Sequence, residues 1–492
     1  MVLARRLVFI LFSLIFLAGV PFLILYSLGY ILRPGPITEF IKTGVIYLAT
    51  VPSGSGVWID KKRLEQKTPI LVRGLVSDSY QVEIRHKGYH AWTRTVTVEA
   101  GKAAVLGKIL LRPIVEKVEI LSEASYQNLI AVEKTNYLLL QQGNSLKDLK
   151  IYDRSESRLW ALISETHRLA EAKIRQIWTS TESHFLLVHT DQKERDAFLW
   201  IRISEKDLSI EPVGDLFLEN PDEVHWKGGQ ARYLFAWSNV KLSRIDIEAR
   251  EVKPLFETGV KGFGMKESNI FILKDPPRLI QNNEEGSQEK LLSEDAAVMT
   301  RLFQSIPKVR ILPFSKDLVM FLGHNGQLVS NLLPYEFASG DITFVHENQK
   351  HEKILVGGNA RLGLIDFSET SRRESFFETG PKVKWLLLNG RSFRQVFWVY
   401  DESHVLILDK NDVYVMDVQN LEFFEPVPPG EPRMRVRADA GVFYDENSGR
   451  LFYLNHESGY LMSLEILPRD KLEFFPMPDF KELLDTQENA QK

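Results

Sequence analysis

A recurring pattern of polar turns and apolar strands, running from about residue 115 to residue 468, constrains the fold more than any other feature of the sequence. Eight short polar segments recur there: Lys134-Thr135-Asn136, Ser180-Thr181-Glu182, Lys227-Gly228-Gly229, Lys266-Glu267-Ser268, Ser315-Lys316-Asp317, Glu347-Asn348-Gln349, Asp401-Glu402-Ser403 and Asp445-Glu446-Asn447. An apolar segment follows each turn, as in Phe185-Leu186-Leu187-Val188 and Val405-Leu406-Ile407-Leu408. Apolar runs separated by short polar turns are typical of β-hairpins.

A third and a fourth strand follow each hairpin. The third ends in segments such as Ile151-Tyr152-Asp153 and Ile245-Asp246-Ile247. Four strands repeated at intervals of roughly 45 residues predict a β-propeller, whose blades bury their faces against one another in a ring. Eight turns indicate eight blades. Seven stays open, because residues 282–303 interrupt the rhythm, and a two-sheet β-protein without repeats is the alternative fold.

The repeats resemble diverged propellers of the broad TolB-like and WD40-like kind. They contain no Trp-Asp dipeptide and a single Gly-His pair, Gly323-His324, so the resemblance is to the architecture and not to the WD40 motif. It implies a rigid ring that presents loops at two ends. Residues 469–492, which follow the repeats, are expected to form a polar carboxy-terminal tail.

An uncharged apolar run occupies residues 7–32, after Arg5 and Arg6 and before Arg33, Pro34 and Pro36. About 20 apolar residues suffice for a helix to cross a bilayer, so the run predicts a transmembrane helix. A cleaved signal peptide is the alternative, but its apolar core would be shorter, about 7 to 15 residues. The sequence therefore predicts an uncleaved amino-terminal anchor.

The charges flanking the run favour a cytoplasmic tail at residues 1–6 and an extracytoplasmic location for the rest of the chain. The bias is small, because Arg33 and Lys42 follow the run, and the opposite orientation, with the propeller in the cytoplasm, stays open. The sequence contains no cysteine, which excludes disulfides and Cys-based zinc sites. This composition fits a bacterial cell-envelope protein.

A smaller β-unit is predicted for residues 43–113, where apolar and polar residues alternate in five or six short runs such as Val57-Trp58-Ile59-Asp60 and Trp92 to Val98. Strands without helices over this length predict a small antiparallel sandwich. The segment resembles the PEGA domain, with Pro52-Ser53-Gly54-Ser55 in place of the naming Pro-Glu-Gly-Ala, followed by Thr68-Pro69 and Gly88-Tyr89. The resemblance implies a non-catalytic module of the cell envelope, and another sandwich of the same size is the alternative.

The sequence contains no linear motif for catalysis, for a cofactor or for a metal. His346 and His351 are five residues apart in a polar segment, a spacing that presents no common face to a metal. The segments Asp409–Asp412 and Asp445–Gly449 lack the spaced oxygens and closing glutamate of a calcium loop, so both are interpreted as hairpin turns. We therefore predict no catalytic, cofactor or metal residues, and no pattern indicates which residues bind a partner.

The leading functional interpretation is a membrane-anchored envelope protein whose propeller binds another protein or a surface polymer. The net charge of −4 on 492 residues argues against nucleic acid as a partner. The alternative is a glycan hydrolase or lyase that uses carboxylates from separate blades in the propeller channel. Such carboxylates would leave no linear motif, so the sequence does not exclude this alternative.

Overall fold

The computed structural model describes residues 2–466 except 28, 34–38, 115–116, 181–183, 205–207, 218, 228–229, 276–277, 294–308, 316, 333–335, 349, 351, 359–360, 368–380, 388–392, 401, 410–411, 419–421 and 425–434. The described part is mainly β, as predicted. The chain divides into two compact units. One contains Met1–Lys117, Asn447–Gly449 and Glu465–Lys492; the other contains Val118–Glu446 and Arg450–Leu464. The predicted tail at 469–492 lies outside the described residues.

The chain begins with a helix, α1 (Val2–Ser27), followed by a two-stranded antiparallel ribbon of β1 (Tyr30–Arg33) and β2 (Glu39–Lys42). The apolar run of residues 7–32 therefore does not form one helix, because its last residues lie in β1. Within the part of the chain that the structure describes, no helix combines the length and the apolar character needed to cross a bilayer. The prediction of a transmembrane helix over residues 7–32 is not supported.

The sandwich that follows consists of seven strands in two sheets. One sheet has the order β6-β3-β9 and the other has the order β5-β4-β7-β8. The strands are β3 (Gly44–Val51), β4 (Gly56–Ile59), β5 (Lys62–Lys67), β6 (Ile70–Leu75), β7 (Asp78–Arg85), β8 (Trp92–Val98) and β9 (Ala103–Leu110). Their inward-facing residues, among them Ile46, Leu48, Val57 and Ile84, form one apolar core.

The sandwich differs from the prediction in two respects. It is not fully antiparallel, because β3 and β9 pair in parallel, with Val45 opposite Ala103. It also has seven strands, where the sequence predicted five or six. β5, with the sequence KRLEQK, is almost entirely exposed, so it carries no apolar alternation by which a strand could be recognised.

The second unit contains eight four-stranded antiparallel sheets, which we call blades. Blades 1 to 4 are β11 (Asn128–Ala131), β12 (Tyr137–Gln141), β13 (Leu149–Asp153) and β14 (Arg158–Ala161); β15 (Ile174–Thr179), β16 (Phe185–Thr190), β17 (Phe198–Arg202) and β18 (Ser209–Pro212); β19 (Glu223–Lys227), β20 (Gln230–Ser238), β21 (Lys241–Asp246) and β22 (Glu251–Phe256); and β23 (Val260–Lys266), β24 (Asn269–Lys274), β25 (Arg278–Asn283) and β26 (Lys290–Ser293).

Blades 5 to 7 follow in the same manner. They are β27 (Val309–Pro313), β28 (Val319–Gly323), β29 (Leu328–Ser330) and β30 (Glu336–Ala338); β31 (Phe344–Glu347), β32 (Lys353–Gly358), β33 (Arg361–Asp366) and β34 (Lys384–Leu387); and β35 (Phe393–Val399), β36 (His404–Asp409), β37 (Asp412–Asp417) and β38 (Glu422–Phe424). Each of the eight predicted polar turns falls where two consecutive antiparallel strands of one blade are connected. Of the two blade numbers left open, the described strands support eight.

The eighth sheet, the closing blade, joins the two ends of the repeat region. It comprises β10 (Val118–Ser122), β39 (Val442–Asp445), β40 (Arg450–Leu454) and β41 (Leu461–Glu465), in the order β10-β41-β40-β39. β10 precedes blade 1 in sequence and pairs with β41, with Glu119 opposite Ser463. A strand that precedes blade 1 thus completes a sheet formed by the last strands of the repeat region, which closes the ring.

Apolar layers lie between successive blades all the way from the closing blade through blade 7. Blade 7 returns to the closing blade through a hydrogen bond from Gln395 Nε2 to the carbonyl oxygen of Ala438, at 3.3 Å. The second strand of each blade is covered on both faces, which explains why it is apolar without alternation, as in Ile270–Leu273 of β24. This arrangement is the predicted propeller.

Candidate functional site

A groove of about 610 Å³ opens between blades 2 and 3. Blade 2 contributes Phe185 from β16, Trp200 and Arg202 from β17, and Ser209 and Glu211 from β18; blade 3 contributes Arg232, Tyr233, Ile247 and Glu248. This volume is typical of sites that bind small molecules or the side chains of a partner. The lining residues come from four separate strands and one turn, so no linear motif encodes the groove.

The blade 2 wall is an aromatic stack. The rings of Phe185 and Trp200 are stacked with their centroids 5.0 Å apart, and Trp200 stacks in turn on Trp226 of blade 3 at 6.0 Å. Trp200 and Trp226 are buried in the apolar layer between the two blades. Because both indole rings are held by this packing, the wall is a preformed apolar surface.

The blade 3 wall carries cations over the ring of Tyr233. The guanidinium carbons of Arg232 and Arg244 lie 5.2 Å and 5.4 Å from the ring centroid, and Lys227 Nζ lies 5.4 Å from it. Cations near an aromatic face are attracted by the negative potential of the ring. Three basic side chains therefore contact the tyrosine at this edge of the groove, and two of them, Lys227 and Arg232, are also paired with carboxylates.

Arg232 is held in place by carboxylates. Its Nε donates to Asp246 Oδ1 at 2.7 Å and its Nη2 donates to Asp246 Oδ2 at 2.5 Å, while Glu248 Oε2 lies 3.4 Å from Nη1. These hydrogen bonds raise the pKa of Arg232 and lower the pKa of Asp246. A guanidinium fixed by two parallel hydrogen bonds has little freedom, so it presents its remaining N–H groups in one orientation.

The carboxylate of Glu211 on the opposite wall is also paired, because Arg250 Nη1 donates to its Oε1 at 2.9 Å. Arg250 also contacts Asp215, and this contact lowers the pKa of that aspartate. Two carboxylates that accept from arginines are suited to binding and orientation. A general acid would instead need a carboxyl with a raised pKa.

The histidines and acidic turns considered in the sequence have simpler roles. His346 lies in β31 and not in a polar turn as predicted, and His351 lies outside the described residues. Asp409 pairs with Asp412 across one hairpin and Asp445 pairs with Arg450 across another, so both acidic segments are hairpin connections, as interpreted from the sequence. No cluster of three potential metal ligands occurs among the described residues.

Comparison with known proteins identifies the first unit. Residues 43–110 match the PEGA domain family. The chain therefore carries a segment that matches this family, which we call the PEGA domain, followed by a propeller-like unit, as the sequence predicted. No curated protein matches the chain.

The chain is similar in structure to several solved proteins. The chain is similar to the β-propeller domain of Cps50 (Swd1) from Myceliophteria thermophila, with 9% identity, a TM-score of 0.40, and coverage of 71% of this chain and 99% of that one. It is also similar to the C-terminal WD40 domain of Sif2, with 9% identity, a TM-score of 0.46, and coverage of 72% and 99%. A third, KlHsv2 with loop 6CD replaced by a Gly-Ser linker, has 11% identity and a TM-score of 0.36 over 57% and 89%. These similarities are distant, and the propeller assignment rests on the strand order and the closing blade.

Proposed function

We propose that this protein is a binding or scaffolding protein whose propeller recognises another protein or a surface polymer through the groove between blades 2 and 3. The observation that carries the proposal is the pairing of a rigid aromatic wall with an arginine held by two carboxylates. Aromatic and arginine side chains on a preformed scaffold contribute most of the binding energy at many recognition sites. The groove combines apolar contact area with charged donors that fix orientation.

At this groove, binding without turnover is favoured over glycan hydrolysis. Both glutamates that line the groove lie beside arginines, and the buried carboxylate next to it, Asp246, has a lowered pKa. A glycosidase needs one carboxyl that stays protonated near neutral pH beside a second that is ionised. We therefore assign the groove carboxylates to positioning the arginines.

The test compares the full-length chain with a groove variant, Arg202→Ala with Tyr233→Ala, on a panel of envelope proteins and cell-surface glycans. The matched control is Arg158→Ala, which removes an exposed arginine from the outermost strand of blade 1. We expect the groove variant to lose at least about tenfold in affinity for the ligand that the unchanged chain binds, and we expect the control to bind normally. Unchanged binding by the groove variant, or release of glycan fragments by the unchanged chain, would contradict the proposal.

We further propose that the protein is attached to a membrane by its amino-terminal apolar segment, with the PEGA domain and the propeller on the extracytoplasmic side. Support comes from the uncharged run of residues 7–32 and from large apolar side chains of α1 that face solvent, such as Phe9, Phe16 and Leu17, which are 73%, 70% and 74% exposed. Exposed apolar surface on this scale favours contact with lipid.

Fractionation and protease accessibility test this location. The full-length chain should stay with membranes after a carbonate wash, and a variant with Leu14→Arg and Phe16→Arg should be released. Protease added outside spheroplasts should degrade both folded units. Recovery of the unchanged chain in the wash would contradict attachment, and protection of the propeller from protease would contradict the orientation.

A further inference from the structure

Four basic residues occupy the same position in four different blades. Each is the second residue of the first strand of its blade and follows an apolar residue: Arg175 in blade 2, Lys261 in blade 4, Arg310 in blade 5 and Arg394 in blade 7. The sequence carries the local signal, an apolar residue followed by a basic one where the blade begins. That the four positions are equivalent becomes visible only once the blades are known.

These positions lie at one end of the propeller and close to its axis. The first strands of blades 4 and 5, of blades 6 and 7, and of the closing blade and blade 1 pack against each other, which places the first strands innermost in the ring. Between blades 4 and 5 the approach is so close that a Cβ built at Gly262 would lie 3.0 Å from the carbonyl oxygen of Val309. The first strands all run in the same direction along the axis, so their second residues meet at the same end.

Three of the four residues are β-bulges. In β15, Ile174 and Gln176 face the successive residues Thr190 and His189, so Arg175 is the extra residue. Lys261 and Arg394 are extra in the same way in β23 and β35. A bulge redirects a side chain and leaves its backbone groups outside the sheet ladder. The same device at the same position in three blades indicates a common direction for these cations.

The cations are available to a ligand. Arg175, Arg310 and Arg394 are exposed, and none of them forms an ion pair with another side chain in the described part of the chain. Lys261 has a loose ion pair with Asp275, at 3.5 Å. Burial and the charge of Arg310 lower the pKa of His346 in blade 6, which indicates that Arg310 lies near the inner strand of the next blade.

Two of the acidic side chains at the same end are engaged by neighbouring groups. Glu223, the first residue of β19 in blade 3, lies 2.8 Å from the imidazole Nε2 of His225. Asp191, after β16 in blade 2, accepts from the backbone N–H of Lys173 at 2.9 Å. These contacts reduce their ability to neutralise the four cations.

We propose that Arg175, Lys261, Arg310 and Arg394 form an axial basic ring that binds a carboxylate-bearing segment of a partner protein. Guanidinium groups bind carboxylates through paired hydrogen bonds. Cations arranged around an axis fit a short acidic loop or tail that enters the end of the ring, whereas a long polyanion needs a linear track of charge. The proposal goes beyond the groove, because Phe185, Arg202 and Ser209 lie at the opposite end of their strands.

The test measures binding of a fluorescent deca-glutamate peptide to the full-length chain. The ring variant carries Arg175→Gln, Lys261→Gln, Arg310→Gln and Arg394→Gln. The control removes four basic residues that lie on outer strands or in turns, with Arg158→Gln, Lys253→Gln, Lys290→Gln and Lys350→Gln. We expect the unchanged chain to bind with an affinity that falls as salt rises, the ring variant to bind at least about tenfold more weakly, and the control to bind as the unchanged chain does.

Three results would overturn the proposal: equal loss in the ring variant and the control, no binding by the unchanged chain, or binding of polyphosphate in place of the glutamate peptide. Circular dichroism melts show whether the ring variant is folded. If it is not, Arg310→Gln with Arg394→Gln alone must lower the affinity. The groove variant, Arg202→Ala with Tyr233→Ala, should bind the peptide normally, so failure of the groove and failure of the ring are distinguishable.

Discussion

The PEGA domain and the propeller bury polar side chains in different ways. In the PEGA domain, Thr50, Ser55 and Thr68 form a neutral cluster, with 2.7 Å between the two threonine hydroxyls and a hydrogen bond of 3.0 Å from the Ser55 N–H to Thr68 Oγ1. In the closing blade, Arg450 donates to both carboxylate oxygens of Glu119, at 2.6 Å and 2.8 Å. The hydroxyl cluster is uncharged and joins residues that are close in sequence. The ion pair is charged and joins residues 331 positions apart.

This difference follows from what each cluster holds together. The neutral cluster fixes the connection between β3 and β4 inside one small domain, where buried hydroxyls need no counter-charge. The ion pair links β10 to β40 across β41, and its arginine is 9% exposed while its glutamate is 54% exposed. A fold that leaves a buried arginine without its partner is destabilised. The ion pair therefore favours the strand order in which the ring is closed.

The largest expected effect is the difference in stability cost between alanine substitutions at two glycines with positive φ. Gly441 has φ +86°, and a Cβ there would lie 2.0 Å from the carbonyl oxygen of Leu129 in blade 1; Gly54 in the PEGA domain has φ +75° and no atom within 4 Å of a Cβ. Gly441→Ala should destabilise the propeller by about 3 kcal/mol or more, and Gly54→Ala should cost the PEGA domain about 1 kcal/mol. Amide hydrogen exchange of each unit measures both. Equal costs would show that the contact between the closing blade and blade 1 is not tight.

The next effect concerns the neutral cluster. Thr68→Val removes the hydroxyl that contacts Thr50 and accepts from the Ser55 N–H, leaving that buried N–H unpaired, so it should destabilise the PEGA domain by about 2 kcal/mol. The control is Thr97→Val, which removes an exposed contact of 3.2 Å to Ser79 and should change the stability by less than about 0.5 kcal/mol. Urea titration monitored by amide hydrogen exchange in peptides from β3 measures the stability of both variants. A Thr68→Val domain as stable as the control would contradict a role for the cluster.

A smaller effect is expected for the closing ion pair. Glu119→Gln leaves Arg450 without its carboxylate, and because the glutamate is half exposed we expect a loss of about 1 kcal/mol from the propeller. Asp317→Asn, which disrupts an exposed contact with Lys290 at 3.3 Å, should have almost no effect. The urea midpoint of amide hydrogen exchange in the propeller measures both effects. A larger loss in Asp317→Asn than in Glu119→Gln would reverse this ranking.

The smallest effect is a pH dependence in the PEGA domain. Burial, with a contribution from Lys67, lowers the pKa of His86 below its ordinary 6.5, so the folded domain binds fewer protons than the unfolded chain. Its stability should therefore fall as the pH decreases through about 6.5. His86→Gln should reduce this dependence between pH 7.5 and 5, and His456→Gln, at an exposed propeller position, should leave it unchanged. A PEGA domain that becomes more stable at pH 5 would contradict the sign.

The sequence predicts the propeller repeat because each hairpin turn and each doubly covered second strand is a local pattern. It fails where partners are distant in the chain. The parallel pairing of β3 with β9 and the ion pair of Glu119 with Arg450 leave no trace in any short window. The exposed strand Lys62–Lys67 cannot be recognised in the sequence for a different reason, because it has no buried face.

The candidate site is less predictable still. Its aromatic residues belong to strands in which packing alone would explain an aromatic side chain, as at Trp200. The groove exists because two consecutive blades bring Phe185 and Tyr233 to the same edge. The axial basic ring leaves a local signal at Arg175 and its three equivalents, but only the alignment of the blades shows that the four positions are equivalent.

Ring closure by β10 is the claim on which the axial basic ring depends, and an engineered disulfide tests it directly. Ile120 and Met462 face each other across β10 and β41, and the chain has no cysteine of its own. Directly opposed residues of an antiparallel pair lie at a separation that a disulfide can bridge. The control, Ile120→Cys with Ser463→Cys, is shifted by one residue, so its side chains point to opposite faces. Mass spectrometry of the oxidised full-length chain should show that Ile120→Cys with Met462→Cys has lost two hydrogens and resists thiol labelling, while the control keeps both thiols. Two free thiols in both variants would contradict a closed ring.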